Sequence, residues 1–198
     1  MTIADLTEEE QQEVKQQLLQ ITRDTSDMLM NILTWSKSQM GGTHIQLTTL
    51  DVNEALKKSL KIEYSLAAKK QIDLQVIPGE PLSIIADPDM FQLVIRNLVN
   101  NAIKFTGNGG LVSVTAVREG EQCCIKVQDN GLGISAGQQK KLFKLKASAT
   151  YGTNKERGVG LGLLLCKEFT ELQGGEIAFE SKEGAGSVFS LWFKLSES

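Results

Sequence analysis

Asn97, Asn101 and Lys104 are four and three residues apart in "NLVNNAIKFT", residues 97–106, whose apolar spacing otherwise reads as helix. On a helical wheel turning about 100° per residue, Phe91, Val94, Ile95, Leu98, Ala102 and Phe105 share one broad apolar face. Asn97, Asn101 and Lys104 fall on a narrow stripe roughly 100° from it. Two amide oxygens and an ammonium thus project from one edge. Amide oxygens suit a hard cation such as Mg²⁺, which takes few protein ligands and fills its shell with phosphate and water. The lysine suits the phosphate. Asn costs roughly 0.5 kcal/mol against Ala inside a helix, so a stripe of them asks for a chemical reason. Asn100 lies about 60° or more off the stripe and is assigned no ligand role.

Three further segments could build the rest of such a site. "VQDNGLGI" places Asp129 at the end of an alternating strand, followed by Gly131 and Gly133. A fixed carboxylate can accept a hydrogen bond from an exocyclic amine, and glycines let backbone approach a planar ring. "RGVGLGLLLCKEF" runs Gly158, Gly160 and Gly162 straight into a helix, where backbone N–H groups at the positive end suit an anion. "EGAGSVFSL" places Gly184, Gly186 and Ser187 before a final strand. The spacing is neither the dinucleotide-binding G-x-G-x-x-G nor a GxxxxGK[ST] phosphate loop.

The elements that must position these groups can be read from pattern. "ADPDMF" opens the asparagine helix, with Asp87 at the N-cap, Pro88 at the first helical position and Asp89 at the positive end; Gly107 suits its end. "IQLTTLDV" and "QIDLQVIP" read as strands, with one amphipathic helix over 51–69 between them, begun by Asp51 or Asn53. "LVSVTAVRE" and "QCCIKVQD" alternate around "GE" as a hairpin. Residues 134–158 are polar, a long loop with some helix; a helix over 159–173 and strands "GEIAFES" and "SVFSLWFKL" follow. The fold class expected is α+β: a two-layer α/β sandwich, one mixed sheet covered by helices on one face. A long helix over 8–40 precedes it. Val14, Leu18, Ile21, Thr25, Met28, Ile32 and Trp35 form its a/d seam, the geometry of a helical bundle, and Gly41 ends it.

Composition narrows the class. With 41% hydrophobic and 23% charged residues the chain reads as globular, and a net charge of −3 gives no nucleic-acid footprint. No apolar run reaches membrane-spanning length, so no membrane insertion by this chain is expected. Three cysteines, Cys123, Cys124 and Cys166, without metal-ligand spacing argue for reduced thiols in a cytoplasmic compartment.

Taken together and in this order, the four segments resemble the catalytic ATP-binding domain of sensor histidine kinases, within the gyrase, chaperone, histidine-kinase and MutL ATPase superfamily. "NLVNNAIKFT" is similar to that family's N box, "DNGLGI", "GVGLGL" and "GAGSVF" to its glycine boxes, and Phe143 in "KLFKLK" to its F box. The resemblance covers residues 46–198, with 1–41 resembling the second helix of the dimerisation and phosphotransfer hairpin. It implies ATP and Mg²⁺ as ligands, Asn101 as principal metal ligand with Asn97 beside it, and Lys104 on phosphate. It puts Phe105 against the nucleotide and Asp129 on the adenine amine. Gly131, Gly133, Ile134, Phe143, Val159, Leu161, Leu163 and Ser187 complete the implied nucleotide site. Gly158, Gly160 and Gly162 border the triphosphate, Lys155 and Arg157 reach the γ-phosphate, and 134–157 is the ATP lid. The implied partners are a histidine-bearing hairpin of a longer parent kinase and a response-regulator receiver domain. A homodimer through the N-terminal helix is a further arrangement the seam allows, and the parent could be membrane-anchored. The acceptor is not His44, the one histidine, which follows "MGGT" in a linker without an acidic neighbour. This fragment is therefore expected to bind ATP without labelling itself. The competing readings are a degenerate nucleotide-binding regulatory module and a chaperone- or MutL-like ATPase; the latter needs a carboxylate within the helix, whereas Asp87 and Asp89 lie at its far end.

Overall fold

The computed structural model describes residues 45–143, 152–153 and 162–196, together with Thr7, Gln11, Gln12, Val14, Lys15, Leu18, Thr22 and Leu29. The chain divides into two units, Met1–Thr43 and His44–Ser198. In the first, every described residue from Gln11 onward is helical. Val14 and Leu18 are the seam members described, and Leu18 is 55% exposed. Ile21, Thr25, Met28, Ile32, Trp35, Gly41 and His44 lie outside the described residues.

The second unit holds a five-stranded sheet in the order β2 (Asp73–Ile77), β4 (Leu111–Glu119), β5 (Gln122–Asp129), β7 (Ser187–Lys194) and β6 (Glu176–Ser181). The β2–β4 pair is parallel and the others are antiparallel, so the sheet is mixed, as expected. The hairpin register pairs Glu119 with Gln122, leaving Gly120 and Glu121 as the turn. Val112, Val114, Ala116, Ile125, Val127, Leu191 and Phe193 are buried by the alternation that strand geometry imposes. The helices cover this face: Phe91 of α3 (Pro88–Phe105) meets Phe193 at a ring separation of 5.7 Å. Against α3 pack α1 (Val52–Ser59), α2 (Lys61–Lys69) and α5 (Gly162–Leu172); α4 (Ala136–Gln139) is a single turn with a Ser135/Gln138 capping box.

Several expectations need correction. The helix over 51–69 is two helices, broken at the buried Leu60 with φ −107° and ψ 11°. No glycine or proline marks that break. A short strand, β3 (Ser83–Ala86), pairs antiparallel with β1 (Thr48–Asp51) to form a second, two-stranded sheet that the pattern does not reveal. The asparagine helix ends not on Gly107 but on Thr106, an extended residue whose N–H returns to Ala102 O. Phe105, assigned to the core face, is only half-buried, whereas Met90, Val99 and Ile103 are buried.

The start of α3 is built as its sequence requires. Asp87 Oδ1 accepts from the N–H groups of Asp89 (3.0 Å) and Met90 (3.1 Å), and Pro88 follows where an N–H is dispensable. Asp87 Oδ2 also accepts from Gln46 N at 2.9 Å, which ties β1's approach to the helix. Cys123, Cys124 and Cys166 are free and buried. Burial pushes the Cys123 and Cys124 thiols up to about 12 and about 11.

Candidate nucleotide site

The Asn97, Asn101 and Lys104 stripe of α3 meets the start of α5 at Asn97. Asn97 Nδ2 donates to Leu93 O at 3.0 Å within its own helix, which fixes the amide. Its Oδ1 then faces Gly162: a Cβ there would sit 2.9 Å from that oxygen. Glycine at 162 therefore lets the start of α5 approach Asn97 closely. Asn101 is half-buried, and its carboxamide makes no hydrogen bond among the described residues. Lys104 is half-buried with its ammonium 5.1 Å from the centre of the Phe105 ring.

The C-terminal end of α3 is a junction. A helix leaves its last carbonyls without intrahelical partners, and here each finds one. Ala102 O accepts from Thr106 N at 3.0 Å, and Ile103 O from Lys70 Nζ at 2.9 Å. Lys104 O accepts from Lys70 Nζ at 2.8 Å and Thr153 N at 3.1 Å. Phe105 O accepts from Leu132 N at 3.0 Å. The Thr153 hydroxyl donates to Thr106 O at 2.9 Å.

Asp129 is the next member of the core-facing row Cys123, Ile125, Val127, so the pleat itself buries it, at 7% exposure, between Val112 and Ser187. Oδ1 accepts from Gly131 N at 2.9 Å. Burial raises its pKa from the ordinary aspartate value; the Gly131 and Ser187 amides oppose this but are the smaller influence. Around it the glycines are required by close approach. A Cβ on Gly131 would collide with Phe105 O, one on Gly133 with Lys182 O, and one on Gly186 with Asp129 O.

The same segments are laced together by hydrogen bonds. Gly184 N donates to Leu132 O at 2.7 Å, and Ile134 N to Ser181 Oγ at 2.9 Å. Ser181 Oγ lies 3.0 Å from Ser187 Oγ, and Gln139 Nε2 donates to Ile134 O at 2.7 Å. Phe143 stands edge-on to Phe179 at 5.7 Å, with Lys167 Nζ 5.9 Å over its ring. Leu163, in the first turn of α5, is half-buried. Lys155, Arg157, Gly158, Val159, Gly160 and Leu161 lie outside the described residues, as does most of 134–157 beyond Phe143.

The glycines give a stability test. Gly186 holds φ 85° and backs onto Asp129 O, whereas Gly184 holds φ 78° with open space beside it. Gly184→Ala carries conformational strain of about 1 kcal/mol; Gly186→Ala adds a backbone collision and is expected to cost about 2–3 kcal/mol. Urea unfolding midpoints of the two variants measure the difference. Equal losses would mean that Gly186 is not held against the strand.

Residues 86–197 match the family described as histidine kinase-, DNA gyrase B-, and HSP90-like ATPase. The chain belongs to that family. It is 35% identical over 181 residues to the sensor histidine kinase ZraS of Escherichia coli strain K12, an alignment covering 91% of this chain and 38% of that protein. It is 33% identical over 166 residues to the histidine protein kinase DivJ of Caulobacter vibrioides, covering 83% of this chain and 28% of DivJ. The nucleotide-free catalytic domain of histidine kinase ThkA superposes with a TM-score of 0.65 at 28% identity, covering 76% of this chain and 96% of that one. The chain thus spans well under half the length of the curated relatives it matches.

Thr153, Lys70 and Ser181 were not singled out by sequence. Lys70 had a signal: Leu60, Glu63, Ala67 and Lys70 follow steps of three and four, and all four are buried. Thr153 and Ser181 sit in polar stretches where one hydroxyl looks like another.

Proposed function

We propose that residues 46–198 bind Mg-ATP and act as the catalytic domain of an ATP-dependent protein-histidine kinase in two-component signalling. One observation carries this reading. The Asn97 oxygen on α3 faces the glycine that opens α5, while Asp129 is buried at the strand end that borders the C-terminus of α3 through Gly131 and Phe105. The donor set fits the ligand. The Asn97 amide is oriented with its oxygen outward because its NH₂ is used by Leu93, and Asn101 adds a second carboxamide one helical turn on. Neutral oxygens of this kind suit magnesium that keeps phosphate and water in its shell. When bound, the ion supplies positive charge to the phosphate oxygens.

In this reading Lys104 holds phosphate, Asp129 accepts from the adenine amine, and Phe105 lies against the nucleotide. Gly162 and Leu163, and before them Lys155, Arg157, Gly158, Val159, Gly160 and Leu161, follow the triphosphate. Gly131, Gly133, Ile134, Phe143 and Ser187 shape the base end. The γ-phosphoryl passes to an imidazole nitrogen of a histidine on a hairpin of the parent protein, and ADP leaves. Transfer is mainly positioning and charge stabilisation, so it needs that acceptor held in line. Residues 1–41 are read as one helix of that hairpin and as a surface for a homodimer. The next acceptor is a response-regulator receiver domain, and the compartment is the cytoplasm, whether or not the parent is membrane-anchored. Among the described residues no helix is long and apolar enough to cross a membrane.

The test is incubation of this chain with labelled ATP, Mg²⁺ and a separately produced hairpin bearing its histidine. The expected product is acid-labile phosphate on the hairpin and none on His44. Nucleotide binding without transfer would replace this reading with that of a regulatory module. Label on His44 of the chain alone would overturn the assignment of the acceptor to the hairpin.

A further inference from the structure

Lys70 is 6% exposed, an unusual setting for a lysine. It is the C-cap of α2, and the chain turns sharply after it: Gln71 takes φ 56°, Gln71 N donates to Ala68 O and Ile72 N to Ala67 O. This is a Schellman turn with glutamine where glycine is usual. The turn sends the Lys70 arm across to α3, where Nζ reaches Ile103 O at 2.9 Å and Lys104 O at 2.8 Å. An ammonium at a helix C-terminus meets the negative end of the macrodipole and two carbonyls that otherwise lack intrahelical partners. Both carbonyls belong to the turn that carries Lys104 and Phe105. Lys104 O also receives Thr153 N at 3.1 Å and the Thr153 hydroxyl at 3.2 Å, and the neighbouring Thr106 O receives the same hydroxyl at 2.9 Å. Lys70 lies outside the residues matched to the family, 86–197.

We infer that Lys70 is a positioning residue for the nucleotide site: by holding the Ile103 and Lys104 carbonyls it fixes the last turn of α3 and the seat of Thr153. It touches no nucleotide itself. Lys104 O accepts from Lys70 Nζ and from both the N–H and the hydroxyl of Thr153, the last of which valine removes. The two side chains therefore act on one atom, and loss of either loosens the other. This assignment rests on the nucleotide-binding reading of the same site.

The test is calorimetry with Mg-ATP on the full chain and on Lys70→Met, Lys70→Arg, Thr153→Val and the Lys70→Met/Thr153→Val double variant, each checked by melting temperature. Lys70→Met removes the ammonium and keeps the apolar arm; its Mg-ATP affinity should fall about tenfold in the folded protein. Lys70→Arg, which can still donate to both carbonyls, should recover most of that loss. The double variant should lose less than the product of the single losses, because the two groups share one acceptor. A purely structural lysine would lower the melting temperature of Lys70→Met and leave affinity unchanged, and that result overturns the assignment. So do single losses that simply multiply. Should Lys70→Met fail to fold, unchanged affinity in Thr153→Val is the overturning result. Failure of the parent chain itself to bind Mg-ATP would be recognisable separately: it removes the nucleotide reading, and this assignment with it.

Discussion

Asn101→Ala is expected to abolish measurable Mg²⁺-dependent ATP binding while leaving the fold intact. The residue is half-buried on the stripe of α3, one turn from Asn97, and its carboxamide makes no hydrogen bond among the described residues. Truncation therefore breaks no hydrogen bond among the described residues. Alanine is the better helix former by roughly 0.5 kcal/mol, so the melting temperature should hold or rise slightly. Loss of a partner that merely orients a metal ligand costs roughly 10–100-fold in affinity, and loss of the ligand itself should cost more. The combination matters: a large loss of binding with no loss of stability is the signature of a residue kept for chemistry. Calorimetry with an ATP analogue, with and without Mg²⁺, measures it. Unchanged affinity in a folded Asn101→Ala protein would remove Asn101 from the metal site.

The asparagine helix was legible because several local signals agree. The Asp87–Pro88 start, the helical period and the polar stripe all point the same way, and the structure places Asp87 on the first N–H groups. The hairpin around Gly120 was legible for the same reason: two β-rich, largely alternating runs flank a two-residue turn, which fixes the register. What escaped was set by tertiary partners. β3 is four residues long, follows the loop-like "PGEPL", and is a strand because β1 lies beside it. The break at Leu60 arises in a sequence with no helix breaker, where the buried faces of α1 and α2 must both meet α3. The end of α3 depends on Lys70, Thr153 and Leu132, which come from three distant parts of the chain. A wheel finds the stripe, but it cannot find the groups that terminate it.

Asp129→Asn should weaken adenine recognition and at the same time stabilise the empty protein at neutral pH. Asp129 Oδ1 is held by Gly131 N at 2.9 Å. An asparagine in the same rotamer keeps that bond through its own oxygen, so its NH₂ takes the position of the second carboxylate oxygen. On the proposed reading, a donor then stands where the carboxylate would accept from the exocyclic amine of adenine, while a purine with a carbonyl at that position gains a partner. Hydrogen bonds to charged groups contribute about 1.5–3 kcal/mol, so ATP affinity should fall at least about tenfold and preference over GTP should narrow or invert. Stability moves the other way. Burial raises the Asp129 pKa, so the folded state disfavours the charged carboxylate relative to the unfolded chain. That penalty is fully present above the folded pKa, is relieved as pH falls through it, and is gone below the ordinary carboxylate value. The substituted amide carries no such penalty, so the variant's advantage in melting temperature should be largest at neutral pH and shrink on acidification. Melting curves of both proteins without nucleotide, taken from neutral pH down into the carboxylate range, give the comparison, with ATP and GTP titrations alongside. A gap in melting temperature that widens as pH falls would mean that Asp129 gains from its charge rather than bearing its burial. Equal ATP-over-GTP discrimination in the two proteins would take the carboxylate out of base recognition.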